Sequence, residues 1–180
     1  MQRKEHLFIP GPTPVPPEVL AAMVRPLIGH RSSEYSSLQR SLVEQLRQVF
    51  QTENELFIFT ASGTGAMEAA VANSLRPGER VLALVTGHFG HRFADIAERW
   101  GVQVERLEST WGEPFDLAAV KRALEQGPWP KAIIATHNET STGVVNDIAG
   151  LGQLVKGTPT LLMVDAVSSM GAMDIRTDDW

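Results

Sequence analysis

Ser62-Gly63-Thr64-Gly65 is the stretch whose residue types most directly suggest chemistry. It follows Leu56-Phe57-Ile58-Phe59-Thr60, an apolar, aromatic run of strand length, and leads into Ala66-Met67-Glu68-Ala69-Ala70, a helix-forming run. The first turn of a helix leaves backbone N–H groups without partners and carries partial positive charge. Glycines let that backbone close on a ligand, and Ser62 and Thr64 add hydroxyls. The product is a cup for a phosphate group. A dinucleotide fingerprint needs a third glycine where Glu68 stands, and a P-loop needs a Lys-Ser/Thr pair where Ala66-Met67 stands. A phosphomonoester fits better. The structural alternative is a plain strand-to-helix connection capped by Ser62.

Three further stretches offer complementary chemistry. Phe89, in Gly87-His88-Phe89-Gly90-His91-Arg92, gives an aromatic face on which a flat ring can stack. Asn138 and Thr140, in His137-Asn138-Glu139-Thr140-Ser141-Thr142-Gly143, give neutral hydrogen bonds. Asp165 ends an apolar run and gives a carboxylate suited to a protonated nitrogen or a metal. A flat, phosphorylated ring with a protonatable nitrogen describes pyridoxal phosphate. An aspartate beside the pyridine nitrogen keeps such a ring cationic and electron-withdrawing.

The elements that must position these groups follow from periodicity. Leu7 to Pro17 is a proline-rich extended arm, because each proline drives its predecessor to extended geometry. Pro17 opens a short helix over Glu18 to Val24. Leu38, Leu42, Val43, Leu46, Val49 and Phe50 recur at helical spacing, and a further helix runs from Gly65 to about Leu75. Strands are expected at 81–86, 102–107, 131–136 and 160–165, the first and third as continuous apolar runs buried on both faces. Between them come helices at 93–100, 117–125 and 147–156, the last two capped by Asp116 and Asp147. This alternation predicts an α/β fold with a mainly parallel sheet and helices on both faces. Ligands of such sheets bind beyond the C-terminal strand ends, where these polar stretches fall.

Composition narrows the function classes. The 180 residues suffice for a sizeable core, and 43% hydrophobic with 21% charged residues is ordinary for a globular chain. A net charge of −5 without a basic run argues against nucleic acid or an anionic membrane as partner. With no cysteine, the chain supplies no thiolate for zinc or iron–sulfur ligation. No apolar run reaches the ~20 residues of a membrane span. Met1 to His6 does not read as a signal peptide, so the cytoplasm is the expected compartment.

Several stretches together resemble the N-terminal half of class V aminotransferases, in the serine/alanine–glyoxylate aminotransferase group. They are Gly11-Pro12-Thr13-Pro14-Val15-Pro16, Gly29-His30-Arg31, Ser62-Gly63-Thr64-Gly65-Ala66-Met67-Glu68, Gly87 to Arg92, Thr136 to Val144, and Val164-Asp165-Ala166-Val167-Ser168-Ser169. They occur in family order over nearly the whole chain. The resemblance implies the large domain of fold-type I transferases that use pyridoxal phosphate, with residues 1–25 as arm and short helix and 26–180 as part of that domain. It implies transamination between a small amino acid of the alanine or serine class and a 2-oxo acid such as glyoxylate, by a homodimer. By position, Ser62, Gly63 and Thr64 hold the phosphate, and Phe89 stacks on the ring. Thr140 and Asn138 serve the ring-hydroxyl side, and Val167 packs on the other face. Asp165 pairs the ring nitrogen as the catalytic residue, and Gly11 belongs to the substrate entrance.

The family's Schiff-base lysine lies downstream of the aspartate. This chain's lysines are Lys4, Lys121, Lys131 and Lys156, and none follows Asp165. The 180 residues by themselves are therefore expected to be inactive. Alternatives of other kinds are a desulfurase or lyase of the same superfamily, a soluble hydrogenase subunit, and a non-catalytic nucleotide-binding domain. The cysteine count argues against the hydrogenase.

Overall fold

A computed structural model describes residues 7–9 and 11–180. Met1 to His6 and Pro10 lie outside the described residues, and with them the reading of the N-terminal hexapeptide and one proline of the arm. The elements run α1 (Pro17–Met23), α2 (Ser33–Phe50), α3 (Gly63–Ser74), β1 (Arg80–Val85), α4 (His88–Arg99), β2 (Gln103–Glu108), α5 (Leu117–Glu125), β3 (Ala132–Thr136), β4 (Asn138–Glu139), β5 (Val144–Val145), α6 (Ile148–Val155) and β6 (Leu161–Asp165).

Four strands form a sheet in the order β2-β1-β3-β6, and every pairing in it is parallel. The central strands β1 and β3 are the two apolar runs. Their side chains alternate between two cores. Val81, Ala83, Val85 and Ile134 face Met67 and Val71 of α3 and Phe93, Ala94 and Ala97 of α4. Leu82, Leu84, Ile133 and Ala135 face Val120 and Leu124 of α5 and Ile148, Leu151 and Val155 of α6. Helices thus cover both faces, as the alternation predicts. Pairing in parallel brings the C-terminal ends of β1, β3 and β6 to one edge of the sheet, which is where the polar stretches lie. No described helix is long and apolar enough to cross a membrane.

Three expectations change. Helix α4, expected from 93 to 100, starts five residues earlier at His88, so Phe89 and Arg92 lie in its first turns rather than in a loop. Leu56 to Thr60 does not form a strand. Phe57 is 77% exposed and Phe59 58%. The sequence there favours extended backbone, but a strand exists only where a neighbour accepts its ladder bonds. Among the described residues nothing pairs with it, and the outer edge of β6 is likewise unpaired. The loop expected between β3 and α6 contains the small antiparallel pair β4–β5, whose turn is Thr140 to Gly143.

Helix α2 has the expected periodicity, yet none of its residues is buried. Ser32 caps it, the hydroxyl accepting from Tyr35 N–H at 3.1 Å. Its end is tied to the segment after β6. Asp178 accepts from Thr52 Oγ1 at 2.5 Å and from Glu53 N–H at 2.8 Å, and Thr177 donates to Phe50 C=O at 2.6 Å.

Candidate functional site

The site gathers at the sheet's C-terminal edge. Asp165 closes β6 and is 8% exposed. Its Oδ1 accepts the Val167 N–H at 2.9 Å, the side chain's one hydrogen bond to a described residue. Burial pushes the carboxyl above the usual aspartate range; the Val167 N–H opposes this, and the charge of Glu139 reinforces it. Among the described residues no cation pairs with this carboxyl, and its donor set suits a protonated ring nitrogen.

Ser62 caps α3, as the structural alternative has it, its hydroxyl accepting from Gly65 N–H at 3.4 Å. Gly63 lies against Val167: a Cβ added there would stand 2.9 Å from Val167 Cγ2. The helix start and the tip of β6 therefore meet only because Gly63 has no side chain. Gly63, Asp165 and Val167 line one cavity of ≈ 730 Å³ that runs between α3 and the open edge of β6. Its wall is otherwise mainly apolar, with Met67, Phe93, Leu162 and Met163.

Asn138 and Thr140 converge on one hydroxyl. Asn138 Nδ2 and Thr140 Oγ1 donate to Ser168 Oγ at 2.8 and 2.9 Å, and Ser168 donates in turn to Asn138 C=O at 2.9 Å. The second N–H of Asn138 and the lone pairs of Thr140 are left for a ligand.

The remaining expected residues are placed less directly. Phe89 is half-buried at the start of α4 and is not among the cavity-lining residues. Arg92 lies over its ring, 4.8 Å from the centroid. The same guanidinium donates to Thr64 Oγ1 at 3.0 Å, so the hydroxyl assigned to a phosphate already has a partner on α4. Gly11 is exposed, and an added Cβ there would meet no atom within 4 Å; the structure does not bring it to the others.

Glu139 carries no assignment in the sequence reading and is the most deeply buried acid at the site, 0% exposed. Burial alone would raise its pKa. The Ser141 hydroxyl and the N–H groups of Gly90, Ser141 and Phe89 outweigh that and hold it below the ordinary glutamate range. Hydrogen bonds to a charged group contribute about 1.5–3 kcal/mol each, so four exceed a burial penalty of several kcal/mol. Ser168 and Arg92 were also unassigned. Their signals in the sequence are membership in a polar stretch after a buried strand and in the family-like stretches, neither of which gives a single residue its role.

His137 is buried beside Asp165, its N–H donating to Asp165 C=O at 2.8 Å. Its Nδ1 lies 3.0 Å from Ser169 Oγ. Burial lowers its pKa below 6.5, so the unfolded chain takes up the proton first as pH falls. Its contribution to stability is full above about pH 6.5 and is lost as pH drops towards the folded value. In thermal melts of the full-length protein, His137→Gln is expected to flatten the decline in Tm between pH 7 and 5. A wild-type slope unchanged in the variant would assign that decline to other groups.

Fold and site together define an α/β nucleus with its polar residues gathered where parallel strands end. The family model described as aminotransferase class-V matches residues 6–180, and the chain belongs to that family. A Synechococcus protein named soluble hydrogenase, small subunit, is 44% identical, covering 100% of this chain and 48% of that protein. The L-aspartate–glyoxylate aminotransferase of Paracoccus denitrificans is 40% identical over 100% of this chain and 47% of its own. The crystal structure of alanine–glyoxylate aminotransferase from Nostoc sp. superposes with a TM-score of 0.91 at 38% identity, covering 100% of this chain and 49% of that one. The chain spans about half the length of the curated relatives it matches.

Proposed function

We propose that these residues are the N-terminal part of the cofactor-binding large domain of an aminotransferase that uses pyridoxal phosphate, with residues 1–25 as its arm. The observation that carries the reading is Asp165: buried, with one donor, at the end of a parallel strand and facing a cavity it shares with Gly63 and Val167. When bound, the cofactor supplies an electron-withdrawing ring that stabilises negative charge at the substrate α-carbon. Asp165 holds the proton on the ring nitrogen. Val167 and Phe89 shield the two ring faces from water. Asn138 and Thr140 orient the ring-hydroxyl edge. Ser62, Gly63 and Thr64 receive the phosphate at the start of α3, and Gly11 lies at the substrate entrance.

The full-length protein moves an amino group from a small donor, of the alanine or serine class, to a 2-oxo acid. Glyoxylate is the favoured acceptor: it recurs in the names of relatives whose donors differ, aspartate in one and alanine in another. The protein acts as a homodimer in the cytoplasm. The hydrogenase name of one relative finds no support in the ligand chemistry of these residues, which include no cysteine.

The test is a transamination assay on the purified full-length protein, with alanine and serine as donors and glyoxylate as acceptor. Glycine production by a protein carrying the cofactor's absorbance is expected. The 180-residue chain, with no lysine after Asp165, is expected to give no turnover. A folded full-length protein that binds no pyridoxal phosphate and forms no glycine would refute the reading.

A further inference from the structure

The start of α4 is held from another part of the chain. Its cap residue, Gly87, has no side chain to offer the exposed N–H groups, and the segment Glu139 to Ser141 supplies the acceptors instead. Ser141 Oγ accepts His88 N–H at 3.0 Å. Glu139 accepts Phe89 N–H at 3.1 Å and Gly90 N–H at 3.0 Å through Oε2. The first three N–H groups of the helix are thus all satisfied. The carboxylate also accepts Ser141 N–H at 3.1 Å and the Ser141 hydroxyl at 2.7 Å through Oε1. Among the described residues Glu139 has no cationic partner. The positive end of α4 is its counter-charge.

The fit is close. A Cβ on Gly87 would stand 2.6 Å from Glu139 Cγ and 2.6 Å from Ser141 Oγ. Gly87 is thus required for the carboxylate to reach the helix. Along the same segment the residues alternate in direction. Asn138 and Thr140 bond Ser168, beyond β6, whereas Glu139 and Ser141 bond α4. One stiff stretch therefore sets the distance between the hydrogen-bonding edge of the site and the helix turn that carries Phe89.

We infer that Glu139 is a positioning residue that locks Phe89, through its backbone, at a fixed height relative to Asn138, Thr140 and Asp165. The inference rests on the cofactor reading proposed above, in which Phe89 stacks on the ring. The carboxylate's hydrogen bonds all go to Ser141 and the start of α4. It acts by removing the freedom of the α4 start, so that stacking carries little ordering cost when the ligand arrives. Held ionised, it also adds negative potential behind Asp165.

The experiment is a double-mutant cycle on the full-length protein, with Glu139→Gln and Phe89→Leu singly and together. The readouts are the pyridoxal-phosphate dissociation constant and the circular-dichroism band induced in the bound cofactor. Amide hydrogen exchange at 88–91 is followed in the cofactor-free protein. Glu139→Gln is expected to weaken cofactor binding about tenfold when Phe89 is intact and less than about twofold in the Phe89→Leu background, because coupled residues are not additive. It should also shrink the induced band and speed exchange at 88–91. Equal losses in both backgrounds, or unchanged exchange, would overturn the inference and leave Glu139 structural. Should Glu139→Gln not fold, Ser141→Ala enters the same cycle, with an expected effect of about threefold. A folded wild-type protein that binds no pyridoxal phosphate would remove the cofactor reading and this inference with it. A wild type that binds it, with additive variants, would remove the inference alone.

Discussion

Asp165→Asn is expected to lower transamination by the full-length protein by about a hundredfold to a thousandfold, the range seen when a preorganised electrostatic contact is removed. The amide keeps the carboxylate's shape and can still accept the Val167 N–H that Asp165 accepts at 2.9 Å. It cannot carry the negative charge that holds a proton on a ring nitrogen. Stability should move differently. Burial raises the pKa of Asp165 in the folded protein, so above the unfolded value of about 3.9 its ionised form opposes folding. Removing that charge relieves the cofactor-free protein, whose Tm at neutral pH should rise or stay level. Activity lost with stability kept is the signature of a carboxylate placed for function. Near-normal kcat in a folded Asp165→Asn protein would make Asp165 structural. A lowered Tm with proportionate loss of activity would do the same.

The same contrast explains which parts of the molecule were legible from sequence. Helix α5 has the predicted bounds because its signals are local: Asp116 accepts from Ala118 N–H at one end, and Gly127-Pro128 follows the other. The runs in β1 and β3 are buried on both faces whatever their neighbours, so unbroken apolar character reveals them. Leu56 to Phe59 looks equally strand-like, but pairing depends on another segment, which composition does not encode. The site divides in the same way. Asp165 was legible because a carboxylate ending an apolar strand is a local anomaly. Glu139 sits in a polar stretch where an acid is unremarkable. Only the approach of α4, across 49 residues of sequence to Gly90, makes it a buried cap. The Arg92 bond to Thr64 is hidden for the same reason, since a pairing between two helices leaves no mark on either alone.

Gly63→Val should weaken retention of pyridoxal phosphate by the full-length protein while leaving it folded. Gly63 is the first residue of α3, in ordinary helical backbone, so a side chain there strains no dihedral angle. The conflict is steric and local. A Cβ would stand 2.9 Å from Val167 Cγ2, and a branched residue adds two methyl groups to the same gap. Val167 is 71% exposed, so it can give way without opening either core. It gives way within the site, however, since Gly63, Asp165 and Val167 line one cavity. Overpacking costs about 1–3 kcal/mol, which corresponds to roughly five- to 150-fold in the cofactor dissociation constant. Gly63→Ala is the milder form and provides an internal check. If crowding against Val167 is the cause, Val167→Ala should restore part of the binding lost in Gly63→Ala. Equilibrium dialysis of the two single variants and the double, with melts to confirm folding, measures this. Unchanged cofactor affinity in a folded Gly63→Val protein would show that the start of α3 is not where the phosphate binds.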